Sequence, residues 1–406
     1  MTVDVLRGPA PAVRQARTAV AVLFFTNGAL FANLLPRYPE IKADLGLGNT
    51  AYGLAVAAFP TGAIAAGLAA GVLVRRLGSA RVAVASTLLT GAAILAAGLA
   101  QSAVMFAGAL FVAGAMDSIT DVAQNAHGLR VQRRYGRSII NSFHAIWSIG
   151  AVTGGAMAAA AIALGLSLGQ HLLVSGVVFA VAACVALRYC LSGPDTEPGA
   201  ESEAAARDQQ AAQRAGAGIR TGYVLAALVL IAMAGTLVED AGNSWAALYL
   251  GDRLDAPAAL AASGYIALVG AQFVGRLLGD RLVDRFGQRA VARAGGLVAA
   301  AGMGLALGVP TVPGTILGFA AAGLGVATLV PAAMHEADEL PGLKPGSGLT
   351  IVSWLMRLGF LLSPPVVGLV ADATSLRAGL LMIPLAGLLV ISLAGVLQPR
   401  RARPDA

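Results

Sequence analysis

The sequence predicts an all-α membrane protein in which twelve transmembrane helices form two pseudo-symmetric bundles of six. Three observations predict this fold class. The 406 residues are 57% hydrophobic and only 12% charged, whereas a soluble domain is about 25% charged. Twelve segments contain the roughly 20 mostly apolar residues that a spanning helix needs. A polar stretch separates the first six segments from the last six.

The twelve predicted spans are runs of apolar residues, numbered here in chain order. Several are dense in glycine and alanine, as between Gly62 and Gly71, and in lipid such small residues let helices pack closely. The predicted spans are residues 17–36, 50–74, 80–100, 102–127, 138–164, 170–191, 222–250, 257–283, 289–308, 313–334, 346–371 and 374–397.

The distribution of arginine and lysine predicts the orientation in the membrane. With the N-terminus inside, Arg276 and Arg357 lie within spans, four basic residues lie in outer loops, and the remaining 22 of 28 fall near cytoplasmic ends. Because short loops rich in positive charge stay in the cytoplasm, we expect a multi-pass protein of the cytoplasmic membrane with both termini cytoplasmic. The four outer residues are Arg37, Lys42, Arg253 and Arg377.

The spans also define the predicted domains. The stretch 192–221 is rich in Ala, Gly, Gln and charge and has no apolar stripe, which is typical of a linker, with some helix expected over 200–214. No signal-peptide cleavage site precedes the first span, so we expect that span to be retained. The domains are a cytoplasmic N-terminus 1–16, an N-terminal bundle 17–191, the linker 192–221, a C-terminal bundle 222–397 and a cytoplasmic tail 398–406.

A short motif repeats in the two halves. Arg75 to Gly78 follows the second span and Asp284 to Gly287 follows the eighth, an offset of 209 residues that also places Gly150 on Gly359. Two six-span halves related in this way are typical of one transporter architecture, in which substrate binds near the bilayer midplane.

With these features, the chain resembles the major facilitator superfamily over essentially its whole length. The family's signature loop, roughly G-x-L-a-D-R-x-G-R-R, follows the second and eighth spans, although Arg75 replaces the usual aspartate and Asp280 replaces the leading glycine of the second copy. The resemblance implies a structural latch at the cytoplasmic ends of these spans. Its predicted members are Gly71, Arg75, Gly78, Arg276, Asp280, Asp284, Arg285 and Gly287.

Two further stretches carry finer resemblances. The fifth span contains Gly150, Gly154 and Gly155 in a pattern similar to the antiporter motif G-x-x-x-G-P-x-x-G-G without its proline, which favours export. Met116 to Gly150 and Glu239 to Trp245 look like the YbjJ-like bacterial branch, which is distantly similar to fucose–proton symporters. That branch implies no particular substrate.

Carboxylates within spans are the first candidates for proton coupling. Each costs about 2.5–3.5 kcal/mol on insertion scales, so it is retained where it faces a bundle interior or a wet cavity. Asp117 and Asp121 lie four residues apart on one helix face. Burial and a neighbouring like charge both disfavour the ionised form, so we expect them to bind protons. The alternatives are an acid held by a helix partner, or Asp121 reaching the cytoplasmic interface.

Other ionisable groups add to the proton-coupling candidates. Glu239 and Asp240 are adjacent in the seventh span and point about 100° apart, so only one can face a cavity squarely. The alternative for them is an external pair with Arg37 or Arg253. His144 is a candidate because histidine titrates near physiological pH, with hydrogen-bonded packing as the alternative.

The resemblance implies that the first, fourth, seventh and tenth spans line a central cavity, so their amides are substrate-binding candidates. Arg357 lies deep in the eleventh span and needs a partner, either Asp117, Glu239 or an anionic substrate. Trp354 lies on the same helix face as Arg357. Trp147 lies too deep in its span to be an interfacial residue. We expect His171, at an outer membrane edge, to be an interfacial residue. The substrate-binding candidates are Asn27, Asn33, Asn125, Trp147, Asn243, Trp354 and Arg357.

The sequence carries no G-x-x-x-x-G-K-[ST], H-E-x-x-H or G-x-S-x-G motif, so it predicts neither an enzyme nor an ATP-driven pump. Its net charge of +7 is attributed to cytoplasmic loops, not to a nucleic-acid partner. We expect a monomeric, cofactor-free and metal-free secondary transporter that moves a small organic molecule with protons across the lipid bilayer, efflux being slightly favoured. The alternatives are a proton-coupled sugar or metabolite importer and a non-transporting sensor or scaffold.

Overall fold

A computed structural model describes residues 10–136, 139–193, 219–343 and 347–398, apart from the side chains of Leu68, Asn141 and Ile219. Over these residues the chain is helical and contains no strand. Twelve of its helical stretches are long and apolar enough to cross a membrane. The predicted fold class is therefore confirmed. Most of the predicted linker, including 200–214, lies outside the described residues.

The first six spans match the predicted ones to within a few residues at most ends. A 3-10 turn at Leu35–Arg37 and a short helix, Tyr38–Asp44, follow the first span, and the second span is broken at Ala57. The span helices are Pro11–Ala32, Asn49–Val56 with Ala58–Leu77, Ser79–Gly98, Ala103–Tyr135, Ile140–Ala163 and Leu168–Tyr189.

The last six spans are interrupted more often. The tenth and eleventh spans each consist of two helices, and the twelfth ends in a 3-10 turn at Ala394–Val396. The span helices are Ile219–Leu254, Ala258–Phe286, Gln288–Gly308, Val312–Val326 with Leu329–Asp338, Ser347–Leu355 with Arg357–Ala373, and Leu376–Gly379 with Met382–Leu393.

The chain divides into two compact units, and one boundary differs from the predicted domains. The first unit ends at Arg37 and resumes at Ala58, whereas Tyr38–Ala57 groups with the C-terminal half. Within this second unit, the Asp372 carboxylate accepts hydrogen bonds from the backbone N–H groups of Asn49 (3.1 Å) and Thr50 (2.8 Å) and from the Asn49 side chain (2.8 Å). Asp372 therefore supplies the acceptor that the free N-terminus of helix Asn49–Val56 needs.

Replacing Asp372 with alanine is expected to loosen the helix Asn49–Val56. Loss of a helix-capping acceptor costs about 1 kcal/mol, which corresponds to about fivefold faster opening. Hydrogen exchange followed by mass spectrometry measures this on peptides covering residues 49–56. Asp372→Asn retains one acceptor oxygen and should give a smaller change. Equal exchange in all three proteins would show that Asp372 does not stabilise this helix.

Matching close contacts in the two units confirm the predicted repeat. A methyl group added at Gly150 would lie 2.2 Å from the carbonyl oxygen of Phe25, so the fifth span packs directly on the first. At Gly359, 209 residues later, a methyl group would lie 2.1 Å from Thr236 Oγ1 and 2.7 Å from the carbonyl oxygen of Met233. The eleventh span thus packs on the seventh at the equivalent place.

Candidate functional site

In the first unit, three spans meet at the side chain of Asn27. Its amide nitrogen donates to Asp117 Oδ1 at 2.7 Å, and its oxygen accepts from Trp147 Nε1 at 2.8 Å. The amide nitrogen of Gln124 lies 3.5 Å from the same oxygen. We call Asn27, Asp117, Gln124 and Trp147 the Asn27 cluster. It joins two predicted substrate-binding candidates to the first predicted proton-coupling residue.

Glycine contacts and helix spacing bring the cluster together. A methyl group at Gly28, the residue after Asn27, would lie 2.2 Å from the carbonyl oxygen of Trp147. The first and fifth spans therefore touch backbone to backbone beside Asn27, which puts the Trp147 indole within reach of its amide. Asp117 and Gln124 are seven residues apart, about two helical turns, so both face the first span.

Asp117 has a neutral hydrogen-bond partner. Its contact is the Asn27 amide, and among the described residues no Lys, Arg or His nitrogen lies within 4.0 Å of its carboxyl oxygens. An amide N–H can donate to a carboxylate or to the carbonyl oxygen of a protonated carboxyl group. The Asn27 side chain can therefore hold Asp117 in place in either protonation state.

The other candidates of the fourth and fifth spans lie outside the cluster. The amide nitrogen of Asn125 donates to Asp121 Oδ1 and to the Asp121 carbonyl oxygen, both at 2.9 Å, within one turn of helix. His144 is exposed, and its ring meets the ring of Phe24 edge-on at 5.2 Å.

Asn33 makes a contact that the sequence did not indicate. It is 1% exposed, and its amide nitrogen donates to the Ala29 carbonyl oxygen at 2.8 Å. Its oxygen lies 2.8 Å from His171 Nε2, and His171 is itself only 4% exposed. His171 is therefore buried against the first span, and its predicted place at the outer membrane edge, in the first turn of its helix, stays a prediction. Since both polar ends of Asn33 are occupied, it links the first and sixth spans.

In the second unit, Glu239 is held by the eighth span. Its Oε2 accepts from the Gln272 amide at 2.6 Å and lies 3.6 Å from Arg276 Nη2. This corrects the expectation that Arg276 belongs to the cytoplasmic latch with Asp280 and Asp284. It also shows that Arg276 is the cation beside Glu239, a position predicted for Arg357.

Asp240 and Asn243 also lie in the seventh span, and each has buried polar atoms. Asp240 is 8% exposed, and the Ser244 hydroxyl donates to it at 3.5 Å. The side-chain oxygen of Asn243 is buried and accepts no hydrogen bond from any residue that the structure describes. Asn243 therefore keeps an acceptor that a ligand's N–H or O–H group would satisfy.

The eleventh span is broken beside Arg357. Its two helices are separated at Met356, whose carbonyl oxygen accepts from Thr236 Oγ1 at 2.8 Å. Arg357 has no hydrogen bond or ion pair within the described part of the second unit. Trp354 is 56% exposed. The structure therefore leaves both groups available to a further partner.

The two signature loops have matching backbone conformations. Gly78 and Gly287, 209 residues apart, have φ angles of 87° and 85°, a region that favours glycine because it has no Cβ atom. Each caps the span that follows. The other predicted latch residues lie in the spans that precede these two glycines. In the second span, a methyl group added at Gly71 would lie 3.4 Å from Arg75 Nη1. In the eighth span, the side chains of Asp280, Asp284 and Arg285 are exposed.

Gln124 is the member of the candidate site that the sequence did not predict. It is fully buried, and its amide oxygen has no hydrogen-bond partner in the described structure. Its only signal was the spacing of seven residues from Asp117, which places two polar groups on one face of an apolar helix.

The helices, the repeated loops and the buried polar groups define a polytopic transporter. The chain belongs to the Major Facilitator Superfamily, whose family model matches residues 20–334 and 270–406. The resemblance inferred from the sequence is therefore confirmed. The chain is 30% identical over 363 residues to the uncharacterized transporter y4wD of Sinorhizobium fredii, with 88% of this chain and 92% of that protein covered.

Solved structures show the same fold at low sequence identity. A point mutant of the nucleoside transporter NupG matches with a TM-score of 0.77 and 12% identity, covering 94% of this chain and 100% of that one. A point mutant of the E. coli fucose:proton symporter FucP matches with a TM-score of 0.58 and 18% identity, covering 93% and 97%. As a member of this family with twelve candidate spans, the protein is a multi-pass membrane transporter that moves a small molecule by alternating access.

Proposed function

We propose that this protein is a monomeric, proton-coupled transporter of the cytoplasmic membrane, with both termini cytoplasmic, and that Asp117 binds the coupled proton. The observation that carries the proposal is the neutral amide partner of this intramembrane carboxyl group. An adjacent cation would hold a carboxylate ionised. Asn27 imposes no such charge, so Asp117 can gain and lose a proton during each transport cycle.

Glu239, unlike Asp117, has a cation as a neighbour: Arg276 Nη2 lies 3.6 Å from its Oε2. We therefore assign Glu239 and Arg276 to an ion pair that joins the seventh and eighth spans. The Glu239 and Arg276 side chains are 16% and 38% exposed, so the pair is neither fully exposed nor fully buried. An exposed ion pair contributes about 0–1 kcal/mol to stability. Removing one partner of a buried pair costs about 3–5 kcal/mol.

The two single substitutions of this pair, added together, are expected to destabilise the protein more than the double substitution does. Glu239→Gln and Arg276→Gln each leave one charge without its partner, whereas the double variant removes both. We expect a coupling free energy of about 1–2 kcal/mol. Thermal unfolding in detergent of the four proteins of this cycle measures it. Additive effects would mean that the two side chains do not interact.

We propose that the substrate is a small organic molecule and that the direction is efflux. The similarity of the Gly150 and Gly154 pattern to an antiporter motif supports efflux. Both glycines pack against the backbone of the first span, which carries Asn27. Trp147, Asn243, Trp354 and Arg357 are the proposed substrate contacts. The second candidate is proton-coupled import, which the fold shared with a fucose:proton symporter favours.

Proton movement in proteoliposomes distinguishes these functions. A thermal-shift screen of cationic, anionic and neutral compounds first selects a ligand. That ligand is then added to proteoliposomes that contain a pH-sensitive dye. Antiport moves protons in the sense opposite to the substrate, and symport moves them in the same sense. Substrate transport without any proton movement would contradict proton coupling, and absence of both would favour a sensor or scaffold.

A further inference from the structure

We infer that Trp147 is a positioning residue for the proton site: its indole N–H fixes which end of the Asn27 amide faces Asp117. The inference rests on the proposed role of Asp117. Three spans contribute to this arrangement, since Asn27, Asp117 and Trp147 lie in the first, fourth and fifth spans. It assigns Trp147 a role in setting proton affinity, which is distinct from its proposed contact with substrate.

The orientation of the Asn27 amide follows from the chemistry of its neighbours. An indole N–H can only donate, so the Asn27 atom that lies 2.8 Å from Trp147 Nε1 must be the oxygen. The amide nitrogen then faces Asp117 at 2.7 Å. The Gln124 amide nitrogen, 3.5 Å from the same oxygen, favours the same orientation. The assignment therefore depends on donors that fit only one way.

This orientation affects proton binding at Asp117. An N–H donor stabilises an ionised carboxylate more than a neutral carboxyl group. If the Asn27 amide turned over, its oxygen would face Asp117, and only the protonated acid could donate a hydrogen bond to it. Trp147 therefore holds Asp117 in the state that releases its proton more easily, without touching the carboxyl group.

Among the residues that the structure describes, the charged group that interacts with Asp117 is Asp121, on the same span. From the fifth span the group three residues before Trp147 is His144, which is exposed and lies against Phe24. The second span packs on this part of the fourth span through glycine, and a methyl group at Gly67 would lie 3.5 Å from Ser118 Oγ. Asp121 and His144 must therefore stay unchanged in a test.

Infrared titration of the purified full-length protein tests this inference with the proton itself as the probe. The carbonyl-stretch band of the protonated acid, identified by its absence in Asp117→Asn, is followed as pH rises. A hydrogen bond to a carboxylate changes the proton affinity of that group by about tenfold or more. Trp147→Phe is therefore expected to raise the proton affinity of Asp117 about tenfold. The midpoint for loss of the band should move to higher pH accordingly.

Two variants keep the test decisive. Benzothienyl-alanine at position 147 preserves the ring shape and removes only the N–H, so it should give the same shift even if Trp147→Phe folds poorly. Trp245→Phe is the matched control, because the Trp245 N–H is buried without a hydrogen-bond partner in the described residues, and it should leave the midpoint unchanged. An unshifted midpoint in the benzothienyl variant overturns the role of Trp147, whereas a band that persists in Asp117→Asn overturns the proposed proton site itself.

Discussion

Asp117→Asn is expected to reduce proton-gradient-driven transport to the level of empty liposomes. Asparagine keeps the shape of the side chain and its contact with Asn27, which the wild-type carboxyl group makes at 2.7 Å, but it cannot bind or release a proton. Exchange of substrate across the membrane needs no net proton movement, so counterflow should persist. The two rates are measured in the same proteoliposomes with the ligand found by thermal-shift screening.

Asp121→Asn is the matched control on the same helix. Asp121 lies one turn from Asp117 and bonds Asn125 instead of the Asn27 cluster. We expect this variant to retain gradient-driven transport. Full gradient-driven transport by Asp117→Asn would remove Asp117 from the mechanism. Equal loss in both variants would show that the pair acts together and that Asp117 alone is not the proton site.

The second large effect is expected from a single methyl group between the second and fourth spans. A methyl group at Gly114 would lie 1.9 Å from the carbonyl oxygen of Phe59, and one at Gly62 would lie 2.0 Å from that of Phe111. Both obstacles are backbone atoms, which cannot rotate away. Overpacking typically costs about 1–3 kcal/mol and sometimes more, so Gly114→Ala should markedly lower the yield and unfolding temperature of the purified protein.

Gly108→Ala tests whether the effect is specific to that contact. Gly108 lies on the same helix, and an added methyl group there meets nothing within 4 Å. Since alanine favours a helix over glycine by about 1 kcal/mol, this variant should be as stable as the wild type or slightly more stable. A Gly114→Ala protein as stable as Gly108→Ala would contradict the close packing of these spans.

Much of the fold could be predicted because lipid imposes strong constraints on the sequence. Apolar segments of spanning length gave the twelve helices, and the offset of 209 residues gave equivalent contacts at Gly150 and Gly359. The two short motifs also gave the matching backbone at Gly78 and Gly287. These features are local, or they repeat along the chain, so one sequence is sufficient to find them.

Side-chain partners were harder to predict because they depend on how helices pack. The cost of burying Asp117 indicated that it needs a suitable environment, but nothing local identified Asn27, 90 residues earlier, as its partner. For the same reason Arg276 was assigned to its own helix end, although its ion pair is with Glu239. The grouping of Tyr38–Ala57 with the C-terminal half was equally hidden, since it depends on contacts such as that between Asp372 and Thr50.

Proton coupling at this site requires Asp117 to exchange a proton in the working pH range. Potentiometric titration of the purified protein in detergent, with Asp117→Asn subtracted, measures this directly from mildly acidic to mildly alkaline pH. A carboxyl group within a span that has no cationic partner among the described residues predicts that the wild type takes up one more proton than the variant within this range. Identical titration curves would show that Asp117 never changes its charge there and would contradict proton coupling at this site.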